Sequence, residues 1–190
     1  MKLALLARHG QSLLNVDGVV NGDPALDRGL SPLGIDEGRK LAQQIAAVAI
    51  DLCVVSEFTR ARQTAELALA GRDVPVIVDP DLNDIRVGSL EGVPLAEYRA
   101  WKHAHSRSDA FPGGESLDDA ARRYGAAYER LLARAEETIL CICHEIPVRY
   151  AVNAAGGSDD LDAPLHVVAN ATPYVFDRAG LGRAIERLRR

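Results

Sequence analysis

The stretch that decides the fold is Lys2-Leu3-Ala4-Leu5-Leu6-Ala7-Arg8-His9-Gly10-Gln11-Ser12. After one lysine it runs apolar without a break, the pattern of a short strand covered on both faces in a parallel sheet. It then stops abruptly in a basic pair and a glycine, which lets backbone come close to a ligand. In open α/β sheets, ligands bind off the carboxyl ends of the strands. His9 therefore stands where chemistry is done, with the permanently charged Arg8 beside it. Asn15, six residues on, can return its side chain to the same pocket.

Two later stretches repeat this arrangement. Asp51 to Ser56 is a second apolar strand, followed at once by Glu57-Phe58-Thr59-Arg60-Ala61-Arg62-Gln63-Thr64-Ala65, where a helix starts. A helix N-terminus favours anions, and this one carries arginine. Glu137 to Cys143 is a further strand, ending in His144 as the first ended in His9. Cys141-x-Cys143-His144 has the look of a metal site. However, alternation puts the two cysteines on one face and His144 on the other. No second Cys/His pair completes a zinc set, so no metal is expected.

The remaining elements follow from local chemistry. Val16 to Leu30 is a long Gly/Asp/Asn/Pro-rich loop, and loops of that length are more often functional than idle. Gly22 within it is a pocket candidate. Ser31-Pro32 opens a helix with an N-cap and an N1 proline. Leu33, Leu41, Ile45 and Val48 recur along it to Ala49. Val74 to Val78 is a third strand. Leu95 to Trp101 reads as helix, with His103 and His105 beyond it as solvated surface residues. Phe111-Pro112-Gly113-Gly114-Glu115-Ser116 leads into a long amphipathic helix reaching about Glu136, and Glu115 and Ser116 can border the pocket or start that helix. A helix through about Ala155 follows Glu145. Leu165 to Ala169 and Thr172 to Asp177 read as a closing hairpin or edge strands about Asn170. Leu181 to Arg190 is a basic terminal helix.

Composition bounds the partners. The 190 residues suit one domain spanning 1–190. A net charge of −5 argues against a general nucleic-acid binder, yet a few arginines in a cleft can still set a local field for an anion. Three cysteines form no disulfide framework and fit a reducing compartment. No apolar run reaches the roughly 18 residues of a membrane span, so a cytoplasmic protein without membrane contact is expected. Apolar residues near Val167 could pair two copies as a homodimer.

Taken together, the motifs resemble those of the histidine phosphatase superfamily, branch 1, which includes the cofactor-dependent phosphoglycerate mutases. Arg8-His9-Gly10 with Asn15 is similar to its Arg-His-Gly signature. Ser56 to Ala65 resembles Ser-x-x-x-Arg-Ala-x-x-Thr-Ala, and Leu82 to Gly92 resembles Leu-x-Glu-x-x-x-Gly-x-x-x-Gly. The glutamate of that last pattern is Asp84 here, one methylene shorter, with Glu91 as the fallback carboxylate. The resemblance implies a three-layer α/β/α sandwich around a mostly parallel sheet. It also implies His9 as nucleophile, Arg8, Arg60, His144 and Asn15 around the phosphoryl group, and Asp84 as acid/base. The family's residues after its second histidine are often small, so Glu145 would narrow the pocket. Arg62 is left open between the anion and solvent.

Arginine forks match phosphoryl oxygens bidentately, and a neutral imidazole can take the phosphoryl group covalently. With the arginines supplying positive charge, no cofactor and no metal is required. The expected function is a phosphatase acting on a small-molecule phosphomonoester through phosphohistidine. A phosphoglycerate-mutase-type transferase is the alternative, disfavoured because only about twenty residues separate Gly92 from Pro112 and leave thin cover against water. A non-catalytic phospholigand binder is the third reading, kept open by Asp84.

Overall fold

The computed structural model describes residues 1–190. The apolar run forms β1 (Leu3–Arg8), which sits inside a five-stranded sheet of order β3-β2-β4-β1-β5. β2 (Leu52–Val55) and β4 (Thr138–Cys143) are its parallel companions, with Ala4 opposite Ile139 and Arg8 opposite Cys143. β3 (Val76–Val78) adds a parallel edge and β5 (Pro173–Asp177) an antiparallel one beside β1. The sheet is thus mostly parallel, as the unbroken apolar strands require.

Alternation along the strands divides the core. Ala4, Leu6, Val54, Ile139, Cys141 and Cys143 face α5 (Leu117–Ala133), α6 (Glu145–Ala155) and α7 (Arg178–Leu188). Leu5, Ala7, Cys53, Val55, Leu140 and Ile142 face α2 (Pro32–Gln44) and α3 (Thr59–Ala68). This is an α/β/α sandwich. The two cysteines of β4 share a face and point into the core, and His144 lies beyond them at the strand end. Two further helices, α1 (Leu13–Asp17) and α4 (Leu95–Ala104), lie on the connections after β1 and β3.

Several local readings shift. The loop after β1 contains α1, closed by a reciprocal Ser12–Asn15 capping box and Gly18 in the left-handed region at φ 69°. Ser31 caps α2 by accepting from the Gly34 N–H at 3.1 Å, but Leu33 is 48% exposed and does not share the buried stripe of Leu41 and Ile45. α2 and α5 end at Gln44 and Ala133, earlier than apolar spacing suggested. No hairpin forms around Asn170: only Pro173–Asp177 is strand, and it pairs with β1. The segment before it is irregular because its groups are taken elsewhere, Leu165 N–H by the Asn153 side chain at 2.9 Å and Val168 C=O by Arg8 at 3.1 Å. No helix is long and apolar enough to cross a membrane.

Candidate active site

The turn after β1 is held from three sides. His9 N–H continues the parallel ladder to Cys143 C=O at 2.9 Å, and His9 C=O accepts from Asn170 Nδ2 at 2.7 Å. Gly10 N–H donates to Thr64 Oγ on α3 at 3.0 Å. The turn also lies against the start of α2, where a Cβ on Gly34 would stand 2.0 Å from Gln11 C=O. Only glycine permits that approach. The backbone of His9 is therefore fixed before its side chain is considered.

The imidazole itself is buried, with 2% exposure. Its Nδ1 lies 2.6 Å from Gly10 C=O. A carbonyl can only accept, so Nδ1 carries the proton and Nε2 keeps a lone pair. That lone pair accepts from Arg60 Nε at 3.0 Å. Burial first, then the charges of Arg60 and Arg8, hold His9 well below the ordinary imidazole pKa. The result is a neutral, oriented ring with Nε2 facing cationic donors.

Arg60 is 3% exposed and almost wholly enclosed by acceptors. Asp27, whose side chain is fully buried, accepts from its backbone N–H at 2.7 Å and from Nη1 at 3.2 Å. Asn21 accepts through its side chain and, at 3.2 Å, through its backbone carbonyl. The Phe58 ring lies beneath the guanidinium, 4.1 Å from its carbon. Arg60 Nη2 also donates to His144 Nδ1 at 3.2 Å. Because a guanidinium has no acceptor, His144 carries its proton on Nε2 and gives it to Ser56 Oγ at 2.9 Å. His144 is fully buried, and burial followed by the Arg60 charge keeps it neutral. The two imidazoles lie 5.2 Å apart, centre to centre, edge to face.

Asp84 completes the group. Its Oδ2 is 3.7 Å from Arg60 Nη2 and 3.6 Å from His144 Nδ1, and its Oδ1 accepts from Ile85 N–H at 3.0 Å. Desolvation raises its pKa above the ordinary carboxyl value, against the opposing pull of Arg60. The loop carrying it is clamped by Arg123, which donates to the carbonyls of Asp81, Asn83 and Asp84 at 2.8, 2.9 and 3.2 Å. Arg123 is in turn paired with the buried Glu115 at 2.5 Å. Arg8 stands across the site, its Nη1 shared between Glu145 Oε2 at 2.7 Å and Val168 C=O at 3.1 Å. Arg8, His9, Asn21, Arg60, Asp84 and Glu145 line one cleft of about 830 Å³.

Two arginines and two histidines of lowered pKa meet at the ends of adjacent parallel strands, beside a carboxyl whose pKa burial raises, an arrangement suited to an anion. The family model of the histidine phosphatase superfamily (branch 1) matches residues 4–190. The chain belongs to that superfamily. It is 30% identical over 154 residues to the adenosylcobalamin/alpha-ribazole phosphatase of Escherichia coli K12, covering 74% of this chain and 72% of that one. It is 34% identical over 185 residues to rat 6-phosphofructo-2-kinase/fructose-2,6-bisphosphatase 4, covering 90% of this chain but only 37% of that protein. The chain thus spans little more than a third of that longer relative. Among solved structures, a putative alpha-ribazole-5'-P phosphatase from E. coli K-12 superposes with a TM-score of 0.81 at 26% identity, over 93% of this chain and 90% of the other.

The residues singled out by sequence fall into three sets. Arg8, His9, Arg60, Asp84 and His144 come together as described. Asn15 and Glu145 line the same cleft, although Asn15 spends its side-chain oxygen on Ser12 N–H at 3.1 Å. Gly22 and Glu115 do not reach it. Gly22 N–H donates to Glu91 at 2.8 Å, which also accepts from Asn21 at 2.8 Å, so Glu91 anchors the loop and does not line the cleft. Glu115 acts one step back, through Arg123 on the Asp84 loop. Arg62 is exposed on α3, outside the cleft. His103 and His105, read as plain surface, are exposed residues on the rim of the cleft. His105 stacks on Trp101 with ring centres 4.0 Å apart. Asn21, Asp27 and Ser56 are further site residues that the sequence does not single out. Asn21 and Asp27 lie in a loop whose composition signals turns, and Ser56 read only as a motif position.

Proposed function

We propose that the protein is a phosphomonoester phosphatase that works through a phosphohistidine on His9. The observation that carries this reading is the Nδ1–H bond from His9 to Gly10 C=O, which leaves Nε2 unprotonated; its lone pair, which accepts from Arg60 Nε at 3.0 Å in this structure, turns to phosphorus when the phosphoryl oxygens take that donor. In the first step Nε2 bonds to phosphorus as the bond from phosphorus to the ester oxygen breaks. The Asp84 carboxyl gives its proton to the departing alkoxide. Arg8 and Arg60 neutralise the equatorial oxygens, which is where phosphoryl transfer needs help, and His144 stands beside them. In the second step water attacks phosphorus, the Asp84 carboxylate takes the water proton, and the N–P bond breaks. Orthophosphate leaves and the lone pair returns to Nε2. The two guanidiniums supply the charge that a metal provides elsewhere, so this route needs no metal.

The raised pKa of Asp84 supports its use as the acid, since it must hold a proton when substrate is bound, and an incoming phosphate dianion raises it further. Relatives that are mutases keep a phosphotransferase alternative in view: a phosphoglycerate mutase from Methylobacterium is 35% identical over 136 residues, 64% of each chain. The test is hydrolysis of an aryl phosphate in EDTA, by the unsubstituted protein and by His9→Ala, with protein quenched in detergent at alkaline pH and then assayed for acid-labile phosphate. Turnover and labelling that both vanish in His9→Ala are expected. Hydrolysis that persists in that variant would refute the reading. Phosphoglycerates in the same assay separate hydrolysis from isomerisation.

A further inference from the structure

We infer that Glu145 makes the cleft select phosphomonoesters whose alcohol part carries no acid group next to the ester. This deepens the phosphatase reading and rests on it for the word substrate, though the selectivity is a property of binding. Glu145 is the first residue of α6, immediately after His144, so it borders the place where the leaving alcohol must lie. Its carboxylate spans two guanidiniums, with Oε2 2.7 Å from Arg8 Nη1 and Oε1 3.1 Å from Arg149 Nη1. A substrate carboxylate beside the ester would need those donors, and the protein has already given them an internal partner.

The next cations along the wall are matched in the same way. Asp162 takes Arg149 Nη2 at 2.7 Å and Arg107 Nη1 at 2.7 Å, with Lys102 Nζ 3.6 Å away. Arg149 is only about one-tenth exposed, and its Nε has no partner at all. Such a desolvated guanidinium depends on its two carboxylates, so displacing Glu145 from it is costly. A second anion would either break that pair or sit against Glu145 as a like charge, and rejection by a like charge is a common route to specificity. Arg99, on the exposed rim, has no carboxylate partner within 4 Å, so the selection acts beside the ester and not at the mouth of the cleft. Leu14, Val20, Leu95 and Ile146 supply apolar surface between. The geometry suits a neutral, hydroxylated or partly apolar alcohol.

The experiment compares glycerol 3-phosphate with 3-phosphoglycerate, which share the ester and differ in one carboxylate. Calorimetric titration into His9→Ala reads binding without turnover. A like charge about 4–5 Å away in a partly screened cleft predicts about tenfold or more tighter binding of glycerol 3-phosphate. In His9→Ala carrying Glu145→Gln, which keeps an oxygen for Arg8 but drops the charge, the preference shrinks to about threefold or less, through tighter 3-phosphoglycerate binding. Glu145→Ser in the same background serves as a second variant, and circular dichroism checks that each is folded. Equal or tighter binding of 3-phosphoglycerate with Glu145 present would overturn the inference. So would a preference unmoved by both variants, or failure of either ester to bind. Hydrolysis by the unsubstituted protein is scored separately: selective binding with no turnover would sink the phosphatase reading and leave the selectivity standing.

Discussion

Replacing Asp27 by asparagine tests the electrostatics of the site from behind. The Asp27 carboxylate is fully buried against Arg60, which is 3% exposed. Removing one partner of such a pair leaves a buried charge uncompensated, at a cost of about 3–5 kcal/mol. Asparagine keeps an oxygen for the Arg60 backbone N–H, now 2.7 Å from the carboxylate, so the loss belongs near the lower end, about 3 kcal/mol. Asp27→Ala also loses that helix-start bond, worth about 1 kcal/mol more. Against a typical total of about 5–15 kcal/mol, Asp27→Asn folds with a clearly lower denaturant midpoint. A second effect appears in catalysis. With Asp27 neutral, Asp84 becomes the nearest carboxylate to Arg60, 3.7 Å away. The ionised form of Asp84 is then favoured and its raised pKa falls. Since the acid must hold its proton, the alkaline limb of kcat/KM moves to lower pH. Urea denaturation and a pH–rate profile on the same preparation check both. An Asp27→Asn protein with the original midpoint and an unmoved alkaline limb would refute the reasoning.

Other outcomes follow from single contacts. Arg60→Lys keeps a charge but loses the fork that bonds Asn21, His9 and His144 at once; kcat/KM on an aryl phosphate should fall about 10²–10³-fold, and near-normal turnover would show that the fork is dispensable. Gly34→Ala drives a Cβ to 2.0 Å from Gln11 C=O, so thermal melting should drop by several degrees, with the His9 turn displaced and activity lost with it. Stability should also fall as pH drops below about 6.5. Both His9 and His144 have folded pKa values lowered by burial, so below that pH the unfolded chain takes up protons that the folded one refuses. Denaturant midpoints at pH 7.5 and 5.5 read this, and a His144→Gln protein should show a smaller drop than the unsubstituted one.

What could be read from sequence was whatever rested on local pattern. The three unbroken apolar runs specified buried parallel strands because only a strand covered on both faces tolerates such a run. Each then delivered its chemical residue to the same edge of the sheet: Arg8-His9 after β1, Ser56 and Arg60 after β2, His144 after β4. The cap at Ser31 was legible for the same reason, since an N-cap is a contact over three residues. Leu165 to Ala169 was misread because its apolar content suits a strand, yet its backbone groups are claimed by Asn153 and Arg8, which are remote in sequence.

The groups that tune the centre were not legible, and for one physical reason. Asp27, Asn21 and Glu115 act through a partner dozens of residues away or through a second side chain, and no spacing rule encodes such contacts. Glu115 shows the distinction well. As the residue before an N-cap it pointed equally to helix entry and to the pocket. In the structure it is buried against Arg123, whose donors hold the carbonyls of Asp81, Asn83 and Asp84. Its influence on the proposed reaction is therefore one of placement. Glu115→Gln weakens the hold on Arg123 and frees the loop, so an acid already one methylene short of glutamate would sit less often within reach of the leaving oxygen. That should lower kcat on a poor leaving group such as an alkyl phosphate more than on a nitrophenyl ester, which departs without a proton. Equal losses on both esters would mean that Glu115 serves stability alone.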